Sequence, residues 1–125
     1  MKILQGIDLL KTERIQKVYE MFGDKFLYKI FSINEIEQIK KKKQKIKKIA
    51  SKFSAKEATS KAIGTGFSEG LRFKDIEILN QKNGKPVVKL NGKAKQKINN
   101  VISSSVSISD EKDLVITIVT FIVKN

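Results

Sequence analysis

The sequence predicts an α+β fold, an N-terminal strand and helices followed by a small antiparallel sheet. Two observations predict it. From Thr12 to Ile63 the apolar residues recur every three or four positions, the period of helices with one buried face. From Asp75 to Val123 they alternate, or run on between turn signals, as strands do. With 125 residues, 40% of them hydrophobic, the chain suits one domain, 1–125, with a single modest core.

Taken in order, Ile3 to Asp8 is a short strand ending in an acid. Thr12 can cap a helix, and Glu13 suits its first turn. Ile15, Val18, Tyr19 and Phe22 then line one side, and Lys11, Arg14 and Lys17 the other. Gly23-Asp24 breaks this helix, and a further turn or helix carries Phe26, Leu27 and Ile30. Ser32 and Glu35 have the spacing of a capping box, opening a helix with Ile33, Ile36 and Ile39 inward. A carboxylate at Glu35 also suits a second role, beside a metal. The lysine-rich run Lys40–Lys48 is either a solvated helix end or a landing site for phosphate. Ile49, Phe53 and the alanines at 50, 55, 58 and 62 extend a helix to Ile63, where Gly64 supplies a stop. Ser54 and Glu57 also have capping-box spacing, but the upstream periodicity starts the helix before Ser54.

The second half opens with Asp75–Leu79, which alternates and so buries one face. Asn83-Gly84 is a hairpin-turn dipeptide, leading through Lys85-Pro86 to the strand Val87–Leu90. Residues 92–102 form a helix with Ala94, Ile98 and Val101 inward. Val106–Ser109 alternates again, residues 110–113 turn, and Leu114–Val123 is the last strand. It is apolar on both faces over much of its length. One small domain struggles to cover both, so a subunit interface is predicted.

Composition excludes whole classes of chemistry. Without cysteine there is no disulfide and no thiolate nucleophile; without histidine the commonest neutral-pH acid/base group is missing. An enzyme here works with carboxylates, lysines, hydroxyls and a hard cation. The chain shows no signal pattern and no apolar run of membrane-spanning length, so a cytoplasmic protein without a membrane partner is expected. The net charge of +13 asks for an anionic partner. Nucleic acid fits poorly: Arg14 and Arg72 are the only arginines and 7% of residues are aromatic, whereas base readout favours arginine and single strands favour aromatic platforms. A small basic nucleic-acid-binding module stays as an alternative. It explains the charge but not the segment Phe53–Gly66.

In that segment Glu57 and Lys61 stand four residues apart in an alanine-rich helix that ends in Gly64-Thr65-Gly66. Both side chains leave one face. A carboxylate ligand beside a phosphate-binding lysine is what a magnesium-dependent reaction on a phosphate ester needs. Magnesium is commonly held by one or two carboxylates together with substrate phosphate, and Asp8 would supply the second. Gly64 and Gly66 let backbone N–H groups approach a ligand.

Gly6-Ile7-Asp8 with Arg14-Ile15, the Ala-Lys-Glu-Ala and Ser-Lys-Ala of 55–62 with Gly-Thr-Gly, Phe73–Ile78, and Asn83-Gly84-Lys85-Pro86 occur in this order. Together they resemble the small trimeric 4′-phosphopantetheinyl transferases, the holo-[acyl-carrier-protein] synthase type, nearly end to end. The resemblance implies that family's fold, with the sheet packed at a homotrimer interface. It implies Mg2+, coenzyme A as substrate, and transfer of phosphopantetheine to a serine of apo acyl carrier protein in fatty acid biosynthesis. It implies Asp8 and Glu57 as metal ligands and catalytic groups with Lys61. Phe53, Lys61, Gly64, Thr65 and the turn Asn83, Gly84, Lys85, Pro86 would bind coenzyme A, the turn reaching the nucleotide of a neighbouring subunit. Lysines of 42–48 would suit the ribose 3′-phosphate. Arg14, Lys17 and Lys25 would meet the acidic carrier protein.

One position departs. Where the family has histidine after a segment like Val106–Ser109, this chain has Asp110. A histidine can donate to a phosphate; an ionised aspartate repels it. Asp110 is expected to turn to solvent or to approach the magnesium, directly or through water, the third outcome being a weakened site. A catalytically silent scaffold that binds acyl carrier protein is the alternative this departure raises.

Overall fold

The computed structural model describes residues 1–125. Strands β1 (Lys2–Lys11), β4 (Val101–Glu111) and β5 (Leu114–Val123) form an antiparallel sheet in the order β1-β5-β4, and β2 (Ile76–Asn80) pairs with β3 (Pro86–Leu90) in a separate hairpin. Helices α1 (Thr12–Phe22), α2 (Asp24–Ile30) and α3 (Ile33–Lys40) precede α4 (Lys45–Ile63), and a short α5 (Gly92–Lys97) precedes β4. The α+β expectation holds. No helix is long and apolar enough to cross a membrane.

Helix α4 organises the molecule. It lies across β1 and β5 on one side and against β2 and α3 on the other. Its alanines 55, 58 and 62 are buried in a cluster with Ile76, Ile78, Val119 and Phe121. A second cluster gathers Leu10, Ile15, Leu27, Phe31 and Ile39 around Ile49 and Ala50 at the other end of the helix. The close approach to β1 depends on Gly6. A Cβ there would overlap the Ala58 carbonyl oxygen and lie 2.6 Å from the Ala62 nitrogen.

Several elements differ from expectation, each for a local reason. β1 runs on to Lys11, so Asp8 sits inside the strand, paired with Thr117 of β5. The N-cap of α1 is Lys11, and the Thr12 hydroxyl donates instead to the Asp113 carbonyl (3.2 Å). Phe22 is 55% exposed because the last turn of α1 outruns its cover. Ile33 is 69% exposed. The buried stripe of α3 centres on Glu35, Ile36 and Ile39, which leaves Ile33 about a third of a turn away. β2 buries both faces over Ile76–Ile78, since α3 covers Glu77 as well. α5 stops at Lys97, and Val101 opens β4 at the surface. The β4–β5 turn shrinks to Lys112 and Asp113. β5 alternates: Val115, Thr117, Val119, Phe121 and Val123 face α4, while Leu114, Ile116 and Ile118 face outward.

Candidate active site

The bare backbone at Gly6 brings Asp8 of β1 under α4. Asp8 meets that helix at three levels. The Ser54 hydroxyl donates to Asp8 Oδ2 (2.8 Å), and Lys61 Nζ, two turns on, donates to Asp8 Oδ1 (3.3 Å) and the Ile7 carbonyl (3.0 Å). Between them stands Glu57. Behind Ser54, Thr117 Oγ1 donates to Ser54 Oγ (3.0 Å). Both hydroxyls are fully buried, so a relay across β5, α4 and β1 fixes the Asp8 carboxylate. Ser54 is therefore no helix cap but a mid-helix donor.

Glu57 is half-buried, and that burial pushes its carboxyl above the usual carboxylate range. The charge of Asp8 pushes it further, while Lys61 and Arg14 pull it back. A carboxyl whose ionisation is opposed by burial and by a neighbouring carboxylate, beside open solvent, fits a site for a divalent cation shared by the two acids. No third acidic, histidine or cysteine side chain joins them. An ion held here keeps its other positions for water or substrate oxygens.

A basic cavity of about 440 Å³ opens at the α3–α4 junction, lined by Lys42, Lys43, Gln44, Lys47, Lys48, Ser51 and Asp110, with no hydrophobic wall. Burial, then Lys42, push the Lys48 ammonium below its ordinary range. Asp110 lies at the surface, as one of the expected outcomes had it, and not at the two acids. Its Oδ1 binds Lys47 Nζ at 2.7 Å. Beside this cavity lies the β2–β3 turn, where Lys85 N donates to Asn83 Oδ1 (3.0 Å) and Asn80 Nδ2 to the Gly84 carbonyl (3.0 Å). Gly84 and Gln81 share another cavity with Lys42 and Lys48.

The other side of α4 is a buried polar wedge. Lys56 Nζ binds Glu35 Oε1 (2.8 Å) and the carbonyls of Phe73 (2.8 Å) and Ile76. Lys52 Nζ binds Gln38 Oε1 (2.9 Å), Asn80 Oδ1 (3.1 Å) and the Ile78 carbonyl. Glu35 completes its capping box with Ser32 and accepts from Ile78 N (2.9 Å). Those contacts leave its carboxylate no part beside a metal.

The model of the 4′-phosphopantetheinyl transferase superfamily matches residues 5–119. The chain belongs to that family. The holo-[acyl-carrier-protein] synthase of Ruminiclostridium cellulolyticum is 42% identical over 110 residues, 87% of this chain and 82% of that one. That of Buchnera aphidicola is 44% identical over 120 residues, 93% and 94% of the two chains. The Helicobacter pylori enzyme, solved in complex with coenzyme A, superposes with a TM-score of 0.84 at 34% identity over 94% of this chain and 99% of that chain.

In this transferase the remaining candidates sit as follows. Phe53 stacks on Phe73 (5.4 Å between centroids), which stacks on Phe67 (3.8 Å), a row of rings one turn before Glu57. Gly64 caps α4 at φ 106°, and Gly66 follows at φ 62°, both with open space where a side chain would stand. The Thr65 hydroxyl donates to the Gly66 carbonyl (2.8 Å). Arg14, Lys17 and Lys25 are exposed, and Lys17 pairs with Glu13 at 3.1 Å. Sequence reasoning missed Ser54 and Thr117, and also Met21 and Phe22, 73% and 55% exposed on the basic helix. Thr117 carried a signal: a hydroxyl on the inward parity of an otherwise apolar strand.

Proposed function

We propose that this transferase moves 4′-phosphopantetheine from coenzyme A to a serine of apo acyl carrier protein, in the service of fatty acid biosynthesis. The serine oxygen gives up its proton to solvent as it forms a bond to the β-phosphorus, the bridging P–O bond breaks, and adenosine 3′,5′-bisphosphate leaves with the electron pair. The observation that carries this reading is Asp8, held by Ser54 and Lys61 beside a Glu57 that resists ionisation.

Asp8 and Glu57 would hold Mg2+, whose charge would offset that of the diphosphate and ease departure of the leaving group. Ser54 and Thr117 keep the Asp8 carboxylate aimed at that point. Lys61, 52% exposed along its side chain, has room to meet a phosphate oxygen as a point charge. Phe53 offers its ring to the pantetheine arm. Gly64 and Thr65 bring bare backbone, and the turn Asn83–Pro86 would meet the nucleotide. The lysines of the basic cavity suit the ribose 3′-phosphate. Arg14, Lys17 and Lys25, with Met21 among them, form a mixed basic and apolar face for an acidic carrier.

On the outer face of the sheet, Ile3, Ile7 and Leu9 of β1 lie beside Ile116 and Ile118 of β5 in the open. We assign that face to the homotrimer contact, with residues 1–125 acting as one domain. The cytoplasm is assigned on the activity alone. Intact mass spectrometry of apo acyl carrier protein, incubated with this protein, coenzyme A and Mg2+, tests the reading. The carrier gains one phosphopantetheine. An unchanged mass with the carrier still bound would make the protein a silent scaffold.

A further inference from the structure

The basic cavity contains one group at odds with an anionic ligand. Four lysines line it, and the only acid in its wall is Asp110. Asp110 Oδ1 lies 2.7 Å from Lys47 Nζ, with 33% and 46% of the two side chains exposed. A pair this open contributes little to stability, so the fold does not require it. Its effect falls on whatever enters the cavity. The carboxylate repels a phosphate and also occupies a lysine that the phosphate would use. Lys42, Lys43 and Lys48 have no comparable partner among the ion pairs of the molecule.

We propose that Asp110 is an internal counter-charge that limits how strongly this enzyme selects a nucleotide carrying a ribose 3′-phosphate over one without it. The inference rests on the reading of this cavity as the site of that phosphate. An incoming phosphate must draw Lys47 off the carboxylate, and the carboxylate remains in the wall afterwards. Part of the attraction of four ammoniums is thereby cancelled. A nucleotide without the 3′-phosphate feels no such cancellation. The same device favours release of adenosine 3′,5′-bisphosphate after transfer.

Asp110→Asn removes the charge and keeps the shape, in a strand held by main-chain pairing to β5. Calorimetry with adenosine 3′,5′-bisphosphate and adenosine 5′-monophosphate, on both proteins at one salt concentration, reads the effect without turnover. The variant binds the bisphosphate about tenfold more tightly and the monophosphate within about twofold of wild type, the scale of one neighbouring charge. The Michaelis constant for coenzyme A falls by a similar factor, and that for 3′-dephospho-coenzyme A stays put. Lys47→Ala in the Asp110→Asn background reverses the gain. An equal change for both nucleotides, or none, overturns the proposal. So does weaker bisphosphate binding, which would make Asp110 a group that holds Lys47 in place for the phosphate. A selective gain in binding without any carrier modification would keep this inference and remove the transferase reading; carrier modification without the selective gain would do the reverse.

Discussion

Helix α4 carries two charged pairs of identical spacing that do opposite things. Lys52 and Lys56 are one turn apart, and so are Glu57 and Lys61, immediately after them. The lysine pair is sealed between α3 and β2, 1% and 0% exposed. Glu57 and Lys61 instead face solvent across β1. On the sealed side every donor has an acceptor, and no buried side-chain polar atom in the molecule lacks a partner. On the open side the charges do not close. Asp8 takes two donors, Glu57 keeps an unfavourable charge, and Lys61 stays half free. A fully partnered charge locks elements together, whereas a charge left over beside solvent is available to a ligand.

Adjacent substitutions separate the two sides. Lys56→Met leaves the Glu35 carboxylate buried without its cation, and the fold loses roughly 3–5 kcal/mol, read by denaturant unfolding. The fraction that stays folded keeps its transfer rate. Glu57→Gln does the reverse. It relieves a carboxyl pushed up by burial and by Asp8, so stability at neutral pH holds or rises. Transfer falls by more than about a hundredfold, beyond the loss common for groups that only support a metal ligand. A Glu57→Gln protein that unfolds, or a Lys56→Met protein that folds well but does not react, would break the division.

That division was only half legible in the sequence. Glu57 and Lys61 stood out because an acid and a base at helical spacing beside Gly-Thr-Gly have few structural uses. Lys52 and Lys56 carry the same letters, and no periodicity tells a sealed lysine from a solvated one. Half of their acceptors are main-chain carbonyls, those of Ile78, Phe73 and Ile76, which a sequence does not display. For the same reason Glu35 could be read two ways until Lys56 and Ile78 N were seen to occupy it. The order of elements was readable because Gly64, Asn83-Gly84 and the Ser32–Glu35 box each enforce a local geometry. The ends of β1 and β4 were not, since the partner strand sets them.

The sealed side also responds to pH in its own direction. Burial pushes the Lys52 ammonium down to about 8 from 10.5. Between those values the unfolded chain holds a proton that the folded chain has released. Stability therefore rises as pH climbs through that window, and below it the penalty of the buried charge is fully present. Unfolding of wild type and Lys52→Met across the window reads the effect, because the variant lacks the group that titrates there. The variant lacks this part of the slope. Equal slopes would mean that Lys52 stays charged throughout, held by its three acceptors.

The smallest effect sharpens the open side. Arg14 and Lys17 share the exposed helix α1, but only Arg14 acts on the Glu57 carboxyl. Arg14→Glu and Lys17→Glu both weaken an electrostatic dock, so each raises the Michaelis constant for the carrier about threefold to tenfold at low salt, less at high salt, and leaves that for coenzyme A alone. Arg14→Glu has a further consequence that Lys17→Glu lacks. It replaces a charge that helps Glu57 ionise with one that opposes it, so the acidic limb of the kcat profile moves to higher pH. Two variants with the same docking loss and different acidic limbs would place Arg14 at the seam between carrier recognition and chemistry. Identical limbs would confine it to docking.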